Sequence, residues 1–394
     1  MRHDMKTRDS EENPFRFGGL AFDDAFADRE DEVDELTRDI RNGQDVVVFA
    51  PRRYGKSSLV WASQRMLAAD DVLVAQVDLM TTPTKERFAA ALAVAIYEDI
   101  ASPLGRVKER ATSIFRGLRL QPTMSIDPES GAIGFSFSTA REAADIDMTI
   151  QQLLELPASL GADRGRRTAL VLDEFQEIVE IDPHLPKLMR AVFQQQPEVS
   201  HVYLGSRRHV MARIFNDENE PLWRSAKPME LHRIPAAKFA PFLVRRFEES
   251  GRTVEAEAVD HLLLLTDGHP HATQELAYFL WERTPNGETV TREGLEAALL
   301  ALLRAEDARF TLLWEDLATV QRLLVQALAA EPGRPYAKSY RDRHSLPSAA
   351  SVQAALRALE RRELISGEDA EYRIVEPFLA QWLRRLTRGG GVRG

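Results

Sequence analysis

The sequence predicts an α/β fold in which a parallel sheet is the middle layer of three. Short runs of β-branched and aliphatic residues alternate with helical patterns between residues 28 and 234. The runs lie at about 45–49, 72–77, 167–172, 201–204 and 229–234. Strands that alternate with helices indicate a parallel sheet with helices on both faces.

The composition is that of a globular chain and excludes several kinds of site. The 394 residues are 44% hydrophobic, enough for two or three cores, and none is cysteine. The lack of cysteine excludes disulfides and thiolate metal sites. The N-terminus lacks the apolar core of a signal peptide, and no apolar run could span a bilayer. We therefore expect a cytoplasmic protein without a membrane partner. A net charge of −10 argues against general nucleic-acid binding by the whole chain.

The segment Ala50–Ser58 lies between the first predicted strand and a predicted helix. Its Gly55-Lys56-Ser57 matches the end of the phosphate-binding pattern G-x-x-x-x-G-K-[ST], with Ala50 in place of the first glycine. In such a P-loop NTPase, the lysine reaches the β- and γ-phosphates and the serine binds Mg²⁺. The alternative is a basic surface turn. We expect the nucleotide to contact Pro51, Arg52, Arg53, Tyr54, Gly55, Lys56, Ser57 and Ser58.

Two acids, Asp173 and Glu174, follow the third predicted strand. An acid at this position faces the carboxyl edge of the sheet, where ligands of open α/β folds bind. We expect Asp173 to hold Mg²⁺ and Glu174 to act as the general base toward water. The alternative is that both acids only cap the next helix. No Asn-Lys-x-Asp segment for guanine selection occurs in the sequence, so ATP is the expected nucleotide.

Several motifs in a fixed order give the chain a family resemblance. It resembles the prokaryotic ATP-binding proteins of the AAA+/STAND group, the archaeal-type ATPase family. The resemblance implies an AAA+-like P-loop core, a helical lid and a C-terminal winged helix. The segments that carry it are 13–15, 26–30, 50–57, 172–176, 205–207 and 268–270.

The resemblance also implies roles for residues outside the loop. Arg29 would lie beside the adenine, although Ala27-Asp28 departs from the usual small pair of the family. Ser206 and Arg207 would form a sensor, with Arg207 near the γ-phosphate. Pro270 would pack on the adenine. The alternatives are a solvated helix start for Arg207 and a plain helix start for Pro270.

The predicted organisation comprises five segments. The catalytic core carries a predicted β-hairpin insertion at 119–138, which is either structural or a partner-binding edge. Residues 236–303 are predicted to be all helical. The segments are a mobile arm at 1–12, a core at 13–235, a lid at 236–305, a winged helix at 316–386 and a tail at 387–394.

The C-terminal unit has the order of a winged helix, with helices at about 316–330, 337–344 and 348–362 and a hairpin at 365–374. Its third helix would expose residues that suit DNA recognition. The hairpin acids Glu368, Asp369 and Glu371 would instead repel a phosphate backbone. The alternative is a domain that contacts protein. The exposed residues expected on the third helix are Gln353, Arg357, Arg361 and Arg362.

Three functions are compatible with these patterns. The favoured one is a slow, partner-regulated ATPase whose nucleotide state is coupled to the lid and the winged helix. The second is an ATP-responsive transcriptional regulator that binds DNA. The third is a nucleotide-binding scaffold without turnover, against which Glu174 and Arg207 argue. The protein partner is unidentified, and a homo-oligomer stays open.

Overall fold

The structure is a computed structural model that describes residues 12–19, 29–101, 114–137, 143–368 and 370–389. The predicted mobile arm therefore lies outside the described residues, apart from Glu12. The chain forms two compact units. The core unit comprises Arg29–Pro51 and Lys56–Leu231. The C-terminal unit comprises Arg52–Gly55, everything described from His232 onward, and residues 12–19.

A five-stranded parallel sheet forms the centre of the core unit, as the sequence predicts. The strands are β1 (Val46–Phe49), β2 (Leu73–Asp78), β5 (Thr168–Asp173), β6 (Val199–Gly205) and β7 (Lys227–Glu230). In space they follow the order β2-β5-β6-β1-β7. Every residue of β5 and β6 is buried, which requires cover on both faces of the sheet.

The position of β6 determines where the site forms. Because β6 lies between β1 and β5, the carboxyl ends of these three strands are neighbours. Phe49 lies opposite Gly205, and Leu172 lies opposite Tyr203. The loops that follow the strands therefore meet at one edge of the sheet.

The fifth strand begins and ends earlier than predicted. It spans Lys227–Glu230 rather than 229–234. Leu231 still donates its N–H to the carbonyl of Phe49, but the N–H of Ile234 bonds to Gly268 in the C-terminal unit. The prediction assigned Ile234 to the sheet because it is hydrophobic, but its side chain is buried in the hydrophobic core of the C-terminal unit.

Helices and short helical turns connect the strands of the core unit. The helix predicted at 84–100 is α-helical only to Ala95 and continues as a π-helix over Ile96–Ala101. Two 3₁₀ turns occupy Leu79–Thr81 and Phe175–Glu177. The helices are α1 (Glu30–Arg41), α2 (Lys56–Ala69), α3 (Lys85–Ala95), α4 (Ala143–Ala162), α5 (Ile178–Ile181), α6 (Leu185–Phe193) and α7 (Arg208–Asn216).

The predicted hairpin is present. Its antiparallel strands are β3 (Thr123–Ile126) and β4 (Ile133–Ser136). Buried Phe135 on β4 packs edge-on against Tyr97 and Phe115, with ring centroids 5.6 and 5.2 Å away. The apolar residues of the alternating pattern thus lie on one face of the hairpin, and this face packs against the core.

The segment before the winged helix is helical with one exception. Its helices are joined by a two-residue parallel pair, β8 (Thr253–Val254) with β9 (Thr289–Val290), so the prediction of an all-helical segment was wrong. Two-residue strands are too short to leave a periodic pattern. The helices are α8 (Ala236–Glu249), α9 (Ala256–Thr266), α10 (Pro270–Trp281), α11 (Arg292–Ala305) and α12 (Asp307–Glu315).

The last part of the chain forms the predicted winged helix. Gly333 pairs with Tyr372 and adds one bridge beside the hairpin. The final helix continues to Gly389, into the segment predicted as tail. The elements are α13 (Thr319–Ala330), α14 (Lys338–Arg343), α15 (Ala349–Arg361), β10 (Ile365–Glu368), β11 (Glu371–Ile374) and α16 (Pro377–Gly389).

The described N-terminal residues join the C-terminal unit rather than the predicted core. Phe15 is fully buried and its ring lies 4.6 Å from that of Phe247. Arg246 donates to the carbonyl of Pro14 at 2.9 Å. Burial of an aromatic side chain stabilises this arrangement, and the sequence contained no sign of its partner.

Candidate nucleotide site

The loop Ala50–Ser58 connects β1 to α2, as predicted. Gly55 has a φ of +87°, a conformation that side chains with a Cβ rarely adopt. Ala50, in place of the expected glycine, is buried and donates its N–H to Gly205 at 3.3 Å. The side chain of Lys56 is buried, and its Nζ donates to the carbonyls of Ala50 and Pro51 at 2.9 and 3.2 Å. The loop therefore curls around the lysine ammonium group.

Ser57 and Asp173, the two expected metal ligands, lie in direct contact. The Ser57 hydroxyl donates to Oδ2 of Asp173 at 3.1 Å across 116 residues of sequence. Burial raises the pKa of Asp173, the hydrogen bond from the Glu174 N–H opposes the rise, and the Glu174 charge adds to it. The Lys56 charge and the Ser57 hydrogen bond also lower this pKa. A role of Ser57 and Asp173 as metal ligands stays a prediction.

Glu174 occupies a strained position at the end of β5. Its φ of +50° lies in the left-handed region, which costs free energy for a residue with a side chain. Its N–H donates to Oδ1 of Asp173 at 2.9 Å. The Ser206 hydroxyl donates to Oε2 of Glu174 at 2.8 Å. The structure therefore brings together Lys56, Ser57, Asp173, Glu174 and Ser206.

Arg207 is the residue before α7, and its guanidinium forms an ion pair with Glu177 at 2.9 Å. The pair is partly exposed, with a third of the Arg207 side chain accessible. A role for Arg207 at the γ-phosphate stays a prediction. The next residue, Arg208, pairs with Glu230 at 2.6 Å.

The tip of the loop, residues Arg52–Tyr54, has contacts of its own within the C-terminal unit. Arg52 pairs with Glu363, Nε to Oε2, at 2.8 Å. Buried Tyr54 packs edge-on against His269, with ring centroids 4.8 Å apart. Arg53 has a φ of +66°, so its backbone, like that of Gly55, is left-handed.

Two predicted adenine contacts lie at helix starts. Arg29 is the buried residue before α1 and pairs with Glu32 at 2.8 Å, whereas residues 26–28 lie outside the described chain. Pro270 is the first residue of α10. The preceding His269 caps that helix by accepting the N–H of Ala272 on Nδ1, and burial lowers its pKa well below the usual range. The start of a helix is therefore sufficient to explain a proline at position 270. Contacts of Arg29 and Pro270 with the adenine stay predictions.

Comparisons with known proteins agree with this architecture. Residues 308–385 match the family described as "Probable winged helix domain". A Walker-type ATPase of Pyrococcus abyssi is similar in structure, with a TM-score of 0.65, 18% identity, and coverage of 93% of this chain and 98% of that one. The ORC2 protein of Aeropyrum pernix in its ADPNP–ADP complexes has a TM-score of 0.53, 14% identity, and coverage of 98% and 99%. No curated protein matches the sequence.

The chain has the three-layer P-loop α/β fold of these two proteins, with a C-terminal winged helix. The predicted resemblance is thereby confirmed at the level of the fold. In the described part of the chain, no helix has the length and hydropathy needed to cross a membrane.

One residue of this P-loop fold was missed as a site residue. Gln176 is fully buried and donates its amide to Oε2 of Glu174. Its Oε1 accepts the N–H of Ser206 at 3.3 Å. Gln176 therefore links the ends of β5 and β6 around the Glu174 carboxylate. The only sequence signal was that Gln176 ends the segment 172–176 on which the family resemblance rests, because its burial is not visible in the sequence.

Proposed function

We propose that the protein binds ATP with Mg²⁺ at the loop Ala50–Ser58 and hydrolyses it to ADP and phosphate. The observation that carries this proposal is the 3.1 Å hydrogen bond between Ser57 and Asp173, beside the buried Lys56. A hydroxyl at a helix start that faces a carboxylate at a strand end, with a lysine adjacent, forms the group that a metal–triphosphate needs. The P-loop fold supports the same function.

Lys56 and the start of α2 would bind the phosphates. Loop carbonyls now hold the Lys56 ammonium, and a phosphate oxygen, which carries charge, is a stronger acceptor. The N–H groups of the first turn of α2 add partial positive charge. Lys56 therefore has a neutral resting partner that ATP can displace.

Ser57 and Asp173 have the oxygen donors that fit Mg²⁺. When bound, the ion would neutralise charge on the phosphate oxygens. Burial already disfavours the isolated Asp173 charge, so a cation at this position would relieve that cost.

Glu174 would accept the proton of the attacking water. The water oxygen forms a bond to the γ-phosphorus, the bond to the bridging oxygen breaks, and ADP leaves with that oxygen. Ser206 and Gln176 both donate to Oε2 of Glu174, so the carboxylate has a fixed orientation.

The rest of the proposal concerns control: turnover is slow, a protein partner regulates it, and the nucleotide state is coupled to the lid and winged helix.

The decisive experiment compares the wild type with Lys56→Ala. The wild type should bind ATP by calorimetry and release phosphate in the presence of Mg²⁺. Truncating one partner of a charged contact costs about 2–5 kcal/mol, so Lys56→Ala should lose at least about 30-fold in ATP affinity. Lys227→Ala, a lysine at the sheet edge paired with Asp39, is the matched control and should bind normally. Equal ATP affinity in the wild type and Lys56→Ala would exclude this site.

DNA binding is the second candidate, carried by the exposed face of α15. Gln353, Arg357 and Arg361 are exposed there, as predicted. Arg362 is also exposed, but it pairs with Asp316 at 2.7 Å, and Glu371 on the hairpin is exposed. A DNA-binding winged helix would be retained on heparin and on duplex DNA, with retention falling steeply as salt rises. Arg357→Glu should abolish that retention, and its persistence would exclude α15 as the contact.

A further inference from the structure

We propose that the tip of the phosphate loop is held by a loop–acid clamp, which ATP releases. The clamp consists of Arg52 with Glu363 and Arg53 with Glu376, and both acids belong to the winged helix segment. The proposal rests on the proposed ATP site and adds a way in which nucleotide binding is communicated to the winged helix.

Three consecutive loop residues, Arg52, Arg53 and Tyr54, belong to the C-terminal unit and each contacts another residue of that unit. Arg52 Nε lies 2.8 Å from Glu363, and Arg53 lies 3.8 Å from Oε1 of Glu376. Tyr54 completes the set with its ring contact to His269. Consecutive contacts of this kind attach the whole tip, rather than one flexible side chain.

The two acids occupy fixed positions. Glu363 follows the C-terminal end of α15 in a left-handed conformation, with a φ of +57° and 16% of its side chain exposed. Glu376 lies just before α16 and forms two hydrogen bonds with Arg309, at 2.7 and 3.2 Å. Glu376 therefore keeps a cationic partner when Arg53 leaves it, whereas Arg52 is the cation paired with Glu363.

A triphosphate and a carboxylate would compete for the same guanidinium groups. Arginine binds either group through paired N–H donors, and a phosphate chain carries more charge than one carboxylate. An arginine turned toward the nucleotide cannot keep its geometry at the glutamate. Any coupling is reciprocal: if ATP weakens the clamp, then loss of the clamp strengthens ATP binding.

The test measures ATP affinity by calorimetry in the wild type, Glu363→Gln and Glu376→Gln. Arg52 is about half exposed, and pairs of that exposure give about a two- to fivefold effect. Glu363→Gln should therefore lower the Kd for ATP by about two- to fivefold, and Glu376→Gln should change it in the same direction. Glu371→Gln, an exposed hairpin acid paired with Arg334, is the matched control and should leave the Kd unchanged.

A second measurement avoids substitutions in the clamp. In the wild type, ATP should increase hydrogen exchange in peptides covering residues 362–376, and Lys56→Ala should show no such increase. An unchanged Kd in Glu363→Gln, or an equal gain in Glu371→Gln, would overturn the clamp while leaving the ATP site intact. A wild type that does not bind ATP would overturn the proposed function as well.

Discussion

The two halves of the phosphate loop are held by different parts of the chain. Ser57 bonds to Asp173, on the strand that also leads to Glu174, and the buried Lys56 bonds to loop carbonyls. Arg52 and Arg53 instead pair with acids of the winged helix. The groups proposed for chemistry are thus held within the core unit, whereas Arg52 and Arg53 are held by ion pairs within the C-terminal unit.

The largest effect is expected in the first half, from Glu174→Gln. General-base catalysis contributes about 10²–10⁴-fold, and the amide cannot accept the proton of water. We expect turnover to fall by roughly that factor while ATP affinity is retained. Phosphate release under single-turnover conditions measures the effect. Glu180→Gln, at an exposed acid on the neighbouring helix α5, is the control for a change of charge alone. Normal turnover in Glu174→Gln would remove it from this role.

A smaller, pH-dependent effect is expected near the loop tip, at Glu275 on α10. Burial raises its pKa to about 7, with Glu306 and Glu376 adding to the shift and Arg53 and Arg309 opposing it. The folded state therefore holds a proton that the unfolded state releases above pH 4.5. The stability contributed by this proton is present below about pH 4.5 and is lost as the pH rises through 7.

Glu275→Gln should remove this dependence. The variant should be more stable than the wild type at pH 8, by at most about 3 kcal/mol, and nearly equal to it at pH 4.5. Thermal unfolding at the two pH values tests this, with the exposed Glu371→Gln as control. The same change in melting temperature at both pH values would contradict the assignment.

The smallest effect is expected from Arg207→Ala. The arginine is paired with Glu177 and a third of its side chain is exposed, so solvent would screen part of its contribution. We expect turnover to fall roughly tenfold, or about 1.4 kcal/mol, with a smaller change in ADP affinity. Arg208→Ala, which loses the neighbouring pair with Glu230, is the control. An equal loss of ADP affinity would instead indicate a disturbed α7.

The parts of the site that follow from local sequence were predictable. A β-branched run before Ala50 and an acid after Leu172 are sufficient to place Lys56, Ser57 and Asp173 at one sheet edge. The network around Gln176 was not predictable, because it depends on β6 lying beside β5 and bringing Ser206 within reach.

Long-range contacts explain the other differences. The pairing of Arg52 with Glu363 joins residues that no local pattern relates. The same holds for Phe15, whose partner Phe247 lies far along the chain. The β8–β9 pair was missed since two residues per strand give no period to detect.

The strand order has a consequence for synthesis on the ribosome. The only sheet neighbours of β1 in the described chain are β6 and β7, because Val46 pairs with Val202 and Lys227. The strand that carries the phosphate loop therefore has nothing to pair with until most of the core unit has been translated. Contacts so distant in sequence slow folding, and the nascent β1 presents bare edges in the meantime.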